Sequence, residues 1–270
     1  MTFAPPSRPQ SERADHTRAR ILDSAICQFS ENGLAGARTE RIAEAAGVNK
    51  ALLYYYFSSK EALYSAAIEA VAEGVQAATM AVLDADASAG ERFLLIVLNH
   101  FDRVYSNPGF ANLMQQEMVR LHRGEENALA LLAERLFGPL WLRVREVVEQ
   151  GIREGELIPV DWMQMLYAGL GANVFYFLSA PLIGLALGFH PLERSTLELR
   201  RKAAIDYLGQ TIFNDRRHGA QLAGRVLAAT PMPSSAGTGP GLPPSLRQPP
   251  PREPGEEMGP GVAEPRKEKS

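Results

Sequence analysis

Between Arg38 and Phe57 the chain runs Arg-Thr-Glu-Arg-Ile-Ala-Glu-Ala-Ala-Gly-Val-Asn-Lys-Ala-Leu-Leu-Tyr-Tyr-Tyr-Phe, and no other segment restricts the fold as tightly. Two short helical stretches flank a turn at Gly47, where glycine tolerates the left-handed backbone a tight turn demands. Thr39 has the hydroxyl to cap the first stretch. Ala43 and Ala46 are small, so this helix can cross its neighbour closely. Ile42, Val48, Leu53 and Phe57 have the spacing of an inner wedge. The pattern predicts a helix-turn-helix over 38–57. Its second helix, residues 50–56, suits a major groove about 12 Å wide.

With the wedge buried, Lys50, Ala51, Leu52, Tyr55 and Tyr56 remain outward. A soluble domain gains nothing by leaving a leucine and adjacent tyrosines in water. Tyrosine offers apolar area to thymine methyls and a hydroxyl to phosphate; lysine donates to guanine edges or to phosphate. These residue types in this order point to a double-stranded DNA partner. Part of Tyr54 is expected to pack on neighbouring helices.

The rest of the chain, up to its tail, reads as helix, with no alternating β-branched runs joined by hairpin turns. A first helix is expected over 17–31, with Ile21, Ala25 and Phe29 on one face and Asn32-Gly33 as its stop. A fourth helix begins near Ser59. Longer helices follow over 91–105, 110–122, 125–153, 161–187 and 191–213, with Pro139 kinking or dividing the third of these and Pro181 bending the fourth. The tail over 230–270 holds eleven of the chain's nineteen prolines and six glycines. Too little apolar surface lies there to offset the entropy of ordering, so a disordered tail is expected. The fold class is all-α: a flexible N-terminal arm over 1–14, a helix-turn-helix domain over 15–75, a helical domain over 76–220 and the Pro/Gly-rich tail.

The pattern Thr39-x-x-Ile42-Ala43-x-x-Ala46-Gly47-Val48-x-x-x-x-Leu53-Tyr54-x-Tyr56-Phe57-x-x-Lys60-x-x-Leu63 resembles the TetR family of bacterial transcriptional regulators. Ile21-Leu22-x-x-Ala25 and Phe29-x-x-x-Gly33 extend the likeness, which covers residues 15–75. The resemblance implies that Thr39, Tyr54 and Lys60 hold phosphates and that Lys50, Ala51, Leu52, Tyr55 and Tyr56 face the groove, with Arg41 counted among the DNA contacts. Two positions depart from the family pattern. Histidine is frequent where Tyr56 stands, and Glu40 sits where some members place a basic base-reading residue. Arg8, Arg13, Arg18 and Arg20 are candidates to extend the footprint along the backbone.

The resemblance further implies a C-terminal helical domain that dimerises through its last two long helices and surrounds an inducer pocket. Gly169, Gly171 and Ala172 allow close helix approach, and Phe175, Tyr176, Phe177, Leu185, Ile205, Leu208 and Ile212 supply apolar area for a homodimer. Phe93, Val97, Phe101, Tyr105, Met114, Met118, Phe137, Trp141 and Phe175 are the candidate pocket lining. The lack of an obvious charge cluster among them implies a small hydrophobic inducer.

Other classes find little support. His100, Asp102, Glu117 and His122 have spacings that do not align them for a metal, and no phosphate loop, nucleophile elbow or zinc-enzyme motif occurs. No cofactor, metal or catalytic residue is expected. Formal net charge is −3, so a broadly basic nucleic-acid coat is excluded; residues 1–64 hold eight Lys/Arg against seven Asp/Glu, placing the positive balance at the helix-turn-helix end. The single cysteine, Cys27, suits a reducing compartment, and the polar start is no signal peptide, so a cytoplasmic location is expected. Residues 162–189 carry no Asp, Glu, Lys or Arg. Their glycines, Gln164, Asn173 and Pro181 suit a buried helix or subunit interface better than a bilayer span. Two other readings stay open on residues alone: a helical scaffold whose Pro-rich tail recruits partners, and a protein anchored in a membrane through 162–189.

Overall fold

The computed structural model describes residues 8–125 and 127–234. The expected arm residues 1–7 and most of the Pro-rich tail, 235–270, lie outside them. Twelve α-helices are seen among the described residues: α1 (Arg8–Gly36), α2 (Thr39–Ala45), α3 (Lys50–Tyr56), α4 (Lys60–Leu83), α5 (Ala89–Ser106), α6 (Pro108–His122), α7 (Ala128–Leu132), α8 (Gly138–Arg153), α9 (Trp162–Leu166), α10 (Ala172–Leu187), α11 (Arg194–Thr211) and α12 (Arg216–Ala229). The described residues form no sheet, only an isolated antiparallel bridge between Leu157 and Phe213.

Local signals fix many of the boundaries. Ser59, Ser88, Asn127, Asp161 and Asp215 each accept a hydrogen bond from the first turn of the helix they precede. α1 bends at Gly33, whose φ of 66° lies in the left-handed region. A π-helical turn, Ala133–Phe137, joins α7 to α8. There Gly138 donates to the Ala133 carbonyl, five residues back, immediately before Pro139, which has no N–H to continue the ladder. A second π-helical turn, Tyr167–Gly171, joins α9 to α10, and α10 runs on through Pro181.

Three apolar clusters hold these helices. The first joins Ile21, Phe29, Ile42, Leu53, Phe57 and Leu63 of α1–α4 to Leu113 and Met114 of α6 and Leu129, Leu132 and Leu136 around α7. The head over 15–75 is thus packed directly onto the helices that follow. The second cluster centres on Phe93, Val97 and Leu98 of α5 with Ile205, Leu208 and Ile212 of α11 and Leu222, Ala223 and Val226 of α12. The third packs the end of α4 against α5 and α8 through Val82, Leu83, Ile96, Val144 and Leu166.

Several expectations are corrected here. α1 begins at Arg8, so residues 8–14 continue a helix. Thr39 is the first residue inside α2; Arg38 precedes it and makes no side-chain cap. The chain does not end its helices near Phe213, because α12 follows and packs along α11. Gly209 and Gly219 make that crossing possible: a Cβ on Gly219 would meet the Gly209 carbonyl oxygen at 2.1 Å. Ile205, Leu208 and Ile212, expected to supply a dimer face, are consumed by this interior contact. Gly169 is used internally too, since a Cβ there would meet Val97 Cγ2 at 2.6 Å.

Two buried polar assemblies tie the layers. Arg201 of α11 makes two 2.7 Å bonds to the Asp102 carboxylate of α5 and a third to the Thr230 carbonyl at 2.9 Å. Glu117 of α6 is wholly buried. It accepts from Tyr64 Oη of α4 at 2.8 Å, from Arg120 at 2.7 Å and from the Ala128 backbone N–H at 3.1 Å. Burial and the bond to Glu117 push the Tyr64 hydroxyl well above its ordinary range.

Candidate nucleic-acid interface

The head is built from α2 and α3 around a turn that needs glycine. Gly47 has φ 62°. A Cβ there would stand 3.0 Å from Arg20 Nη2, because Arg20 reaches across from α1 to the end of α2. Its Nε donates to the Ala46 carbonyl at 3.0 Å and its Nη2 to the Gly47 carbonyl at 3.2 Å. Arg20 therefore closes the turn from α1, along the protein surface. Arg18 is also engaged, 5.3 Å above the centre of the Phe57 ring. Arg13 lies exposed on α1, and the Arg8 side chain is outside the described ones.

α3 starts where Asn49 Oδ1 accepts from the Leu52 N–H at 2.7 Å. Ile42, Leu53 and Phe57 are buried and Val48 half-buried, so the inner wedge forms as its spacing requires. What remains on the outside is apolar and aromatic: Tyr55 is 81% exposed and Leu52 37%. Lys50, Ala51 and Arg41 are exposed with them. Tyr56 is half-buried against the head core, its ring edge-on to Tyr55 with centroids 5.5 Å apart.

Side chains from both helices meet at the rim. The hydroxyls of Thr39 and Tyr54 are 3.3 Å apart. Lys60, at the start of α4, donates to the Ala35 carbonyl at 3.2 Å. Lys50 of α3 forms an ion pair with Glu40 of α2 and stands 5.8 Å from the centre of the Tyr54 ring. The bond from Lys50 holds the Glu40 carboxyl below its ordinary value and raises Lys50 in turn. Thr39, Glu40, Lys50 and Tyr54 thus come together from sequence positions up to fifteen apart. The pairing of Glu40 with Lys50 went unread in the sequence.

The expected pocket residues do not gather at one place. Phe93, Val97 and Phe101 are buried on α5, Phe101 against Phe177 with ring centroids 5.2 Å apart. Met114 joins the head core. Tyr105 is half-buried, 3.4 Å from Arg194 Nη1. Phe137 is half-buried beside the exposed Trp141, with centroids 6.0 Å apart; Met118 and Phe175 face outward.

Of the residues weighed for a metal, Asp102 is committed to Arg201 and Glu117 to Tyr64 and Arg120. Among the described residues no three His, Cys, Asp or Glu side chains gather in a metal-holding group.

A second exposed surface runs along α9–α11. Tyr167, Val174, Phe175, Leu178, Leu182 and Leu185 form an outward stripe, and Leu199 and Tyr207 of α11 are exposed as well. Gly171 lies open, with nothing within 4 Å of a Cβ there. The opposite side of α10 packs inward, where Asn173 donates to the Val97 carbonyl at 3.0 Å. α4 and the Trp162–Leu187 stretch are long and apolar enough to cross a membrane by length and composition alone.

Comparisons with known proteins bear on the head. The model of the bacterial regulatory proteins of the tetR family matches residues 21–67. The HTH-type transcriptional repressor NicS of Pseudomonas putida is 32% identical over 150 residues, which is 54% of this chain and 68% of that protein. The HTH-type transcriptional regulator RutR of Escherichia coli K12 is 29% identical over 184 residues, 66% of this chain and 82% of that one. Among solved structures, the ketosteroid transcriptional regulator KstR2 of Mycobacterium tuberculosis shares the fold with a TM-score of 0.51 and 19% identity, covering 73% of this chain and 95% of its own.

Proposed function

The chain belongs to the TetR family of bacterial transcriptional regulators, and from that premise we propose that it is a cytoplasmic homodimer that represses transcription from a palindromic operator and leaves it when an apolar effector binds. The observation that carries this reading is the outer face of α3, where Leu52 and Tyr55 stay in water on a helix anchored to the core by the buried Leu53. Such a surface is uneconomical unless something covers it. In this proposal Lys50, Ala51, Leu52, Tyr55 and Tyr56 meet base edges. Thr39, Arg41, Tyr54 and Lys60 hold the sugar-phosphate strands, which sets register without reading sequence.

Two heads must meet two half-sites about 34–36 Å apart, or a multiple of that distance, so a dimer is required mechanically. The exposed stripe from Tyr167 to Leu185 and the exposed Leu199 and Tyr207 of α11 support α10 and α11 as the dimer face. Open space at Gly171 leaves room for a partner helix to approach closely. The reading head then spans 15–75, and the ligand-binding and dimerisation domain extends from 76 through α12.

The effector enters around Phe93, Val97 and Phe101 by parting side chains that are packed in the free protein. Tyr64–Glu117 supports a route to the head, because it joins α4, which starts at the DNA rim, to α6. A ligand moves this equilibrium only as far as it prefers the non-binding arrangement.

Selection of bound duplexes from a random pool, with sedimentation in detergent-free buffer, tests the proposal. An enriched inverted repeat and a dimer at nanomolar concentration are expected. No enriched sequence would overturn the operator reading, and a requirement for detergent would favour the membrane-anchored reading of 162–189.

A further inference from the structure

We propose that Glu40 is a specificity-determining residue: it neutralises Lys50 on the reading face, so that the head is penalised on arbitrary DNA and rewarded where a cytosine amino group meets the carboxylate. The inference rests on the proposed docking of α3 in the major groove.

Lys50 is the one cation within α3, whose sequence is Lys-Ala-Leu-Leu-Tyr-Tyr-Tyr. Its ammonium is paired with Glu40 although both side chains are more than half exposed, at 51% and 63%. The pair is framed rather than loose. Lys50 stands over the Tyr54 ring, and Tyr54 is held to Thr39, the residue before Glu40. The carboxylate and the ammonium therefore sit side by side on the surface that would face the bases.

Chemistry separates what each partner does there. A free lysine joins any phosphate and contributes equally on every sequence, with one added unit of counterion release. A lysine held by Glu40 must give up that bond first. A carboxylate accepts and cannot donate. In the major groove it finds its best partner in the cytosine N4 amino group; the adenine N6 amino group also donates but sits beside the N7 acceptor of the same base, whereas guanine N7 and O6 and thymine O4 offer only acceptors. With Glu40 satisfied by a cytosine, Lys50 is free for a neighbouring guanine. Where no base amino group stands within its reach, the carboxylate meets phosphate and acceptor edges and repels both. The pair thus weakens binding to most DNA and selects among sequences by what it rejects.

Glu40→Gln keeps the shape and removes the charge. The probes are the duplex enriched by selection with the wild-type protein and a random-sequence duplex of equal length, each titrated over a range of salt. The variant should bind the random duplex roughly tenfold more tightly at about 0.1 M salt, with a salt slope steeper by about one. Its preference for the selected duplex should fall by a similar factor. Adding Lys50→Ala to Glu40→Gln should abolish the gain on random DNA. A variant that keeps the wild-type ratio between the two duplexes would overturn the inference while leaving the groove docking intact. A lower thermal midpoint with the ratio unchanged would make the pair a structural staple. If the wild-type protein enriches no duplex at all, the groove docking fails, and this inference with it.

Discussion

The hydroxyl oxygens of Thr39 and Tyr54 lie 3.3 Å apart, one at the first residue of α2 and the other on the outward side of α3. Thr39 is buried while Tyr54 is partly exposed. The contact locks the two helices of the head at the edge where a phosphate would arrive, and it does so with neutral groups. That neutrality distinguishes it from Lys60, which carries its charge at the start of α4.

Tyr54→Phe removes the hydroxyl and keeps the ring. One hydrogen bond of this kind contributes about 1 kcal/mol net, so the thermal midpoint should move little. Affinity for operator and random duplex should drop together, roughly fivefold, with the salt slope unchanged, because no counterion is released by a neutral contact. Titrations at two salt concentrations check this.

Lys60→Ala should behave differently. It should weaken binding to all sequences and lower the salt slope by about one. The side chain also donates to the Ala35 carbonyl at the end of α1, so a stability loss of about 1 kcal/mol is expected alongside. Unfolding in urea separates the two effects.

Gly169 and Gly171 lie close in sequence and should respond in opposite ways. Gly169→Leu forces a side chain into Val97 and Phe93, an overpacking that costs about 1–3 kcal/mol in the protomer itself. A Cβ at Gly171 has nothing within 4 Å in the protomer. Gly171→Leu should leave protomer helicity and core packing intact and weaken the dimer, read by sedimentation at nanomolar concentration. A Gly171→Leu protein that remains a tight dimer would remove this stretch from the interface.

His100 supplies a pH prediction. Burial, with a smaller contribution from Arg103, holds its imidazole down at about 4. Its folded value lies below the unfolded one, so the unfolded chain binds the extra proton between the two. Stability is therefore intact above about pH 6.5 and lost as pH falls towards 4. Between pH 7 and 5 the loss from this residue should be about 2 kcal/mol. His100→Gln should flatten that part of the melting-temperature profile. An identical profile would show that His100 does not carry it.

The head was legible because its instructions are local. Gly47, Asn49 and Ser59 mark turn and caps, and α3 spans Lys50–Tyr56 as the spacing requires. α12 was hidden by the nature of its contact. Arg216, Arg217 and His218 open it, and its closest approach to α11 is glycine on glycine, where an absent side chain makes the fit. Periodicity alone counts apolar residues and misses such a seam.

α11 shows a related limit. It carries one apolar row through Leu197, Ile205, Leu208 and Ile212 and another through Leu199 and Tyr207. Both look alike in sequence, and only the packing of α5 and α12 decides which is interior. The candidate pocket residues dispersed for the same reason: spacing placed them on helix faces, but which faces converge is a tertiary property. Glu117 looked like a spare acid because its partner, Tyr64, is fifty-three residues away.

The central claim is that α3 reads base edges through its exposed tyrosine. The most direct measurement is the sequence preference of Tyr55→Ala, obtained by selection from the same random duplex pool as the wild-type protein. Tyr55 is 81% exposed and makes no core contact that its loss would disturb, so the fold should survive, and a matching thermal midpoint confirms it. The account predicts relaxed preference at symmetric positions of the inverted repeat, with the salt slope kept. An unchanged preference at wild-type affinity would contradict it.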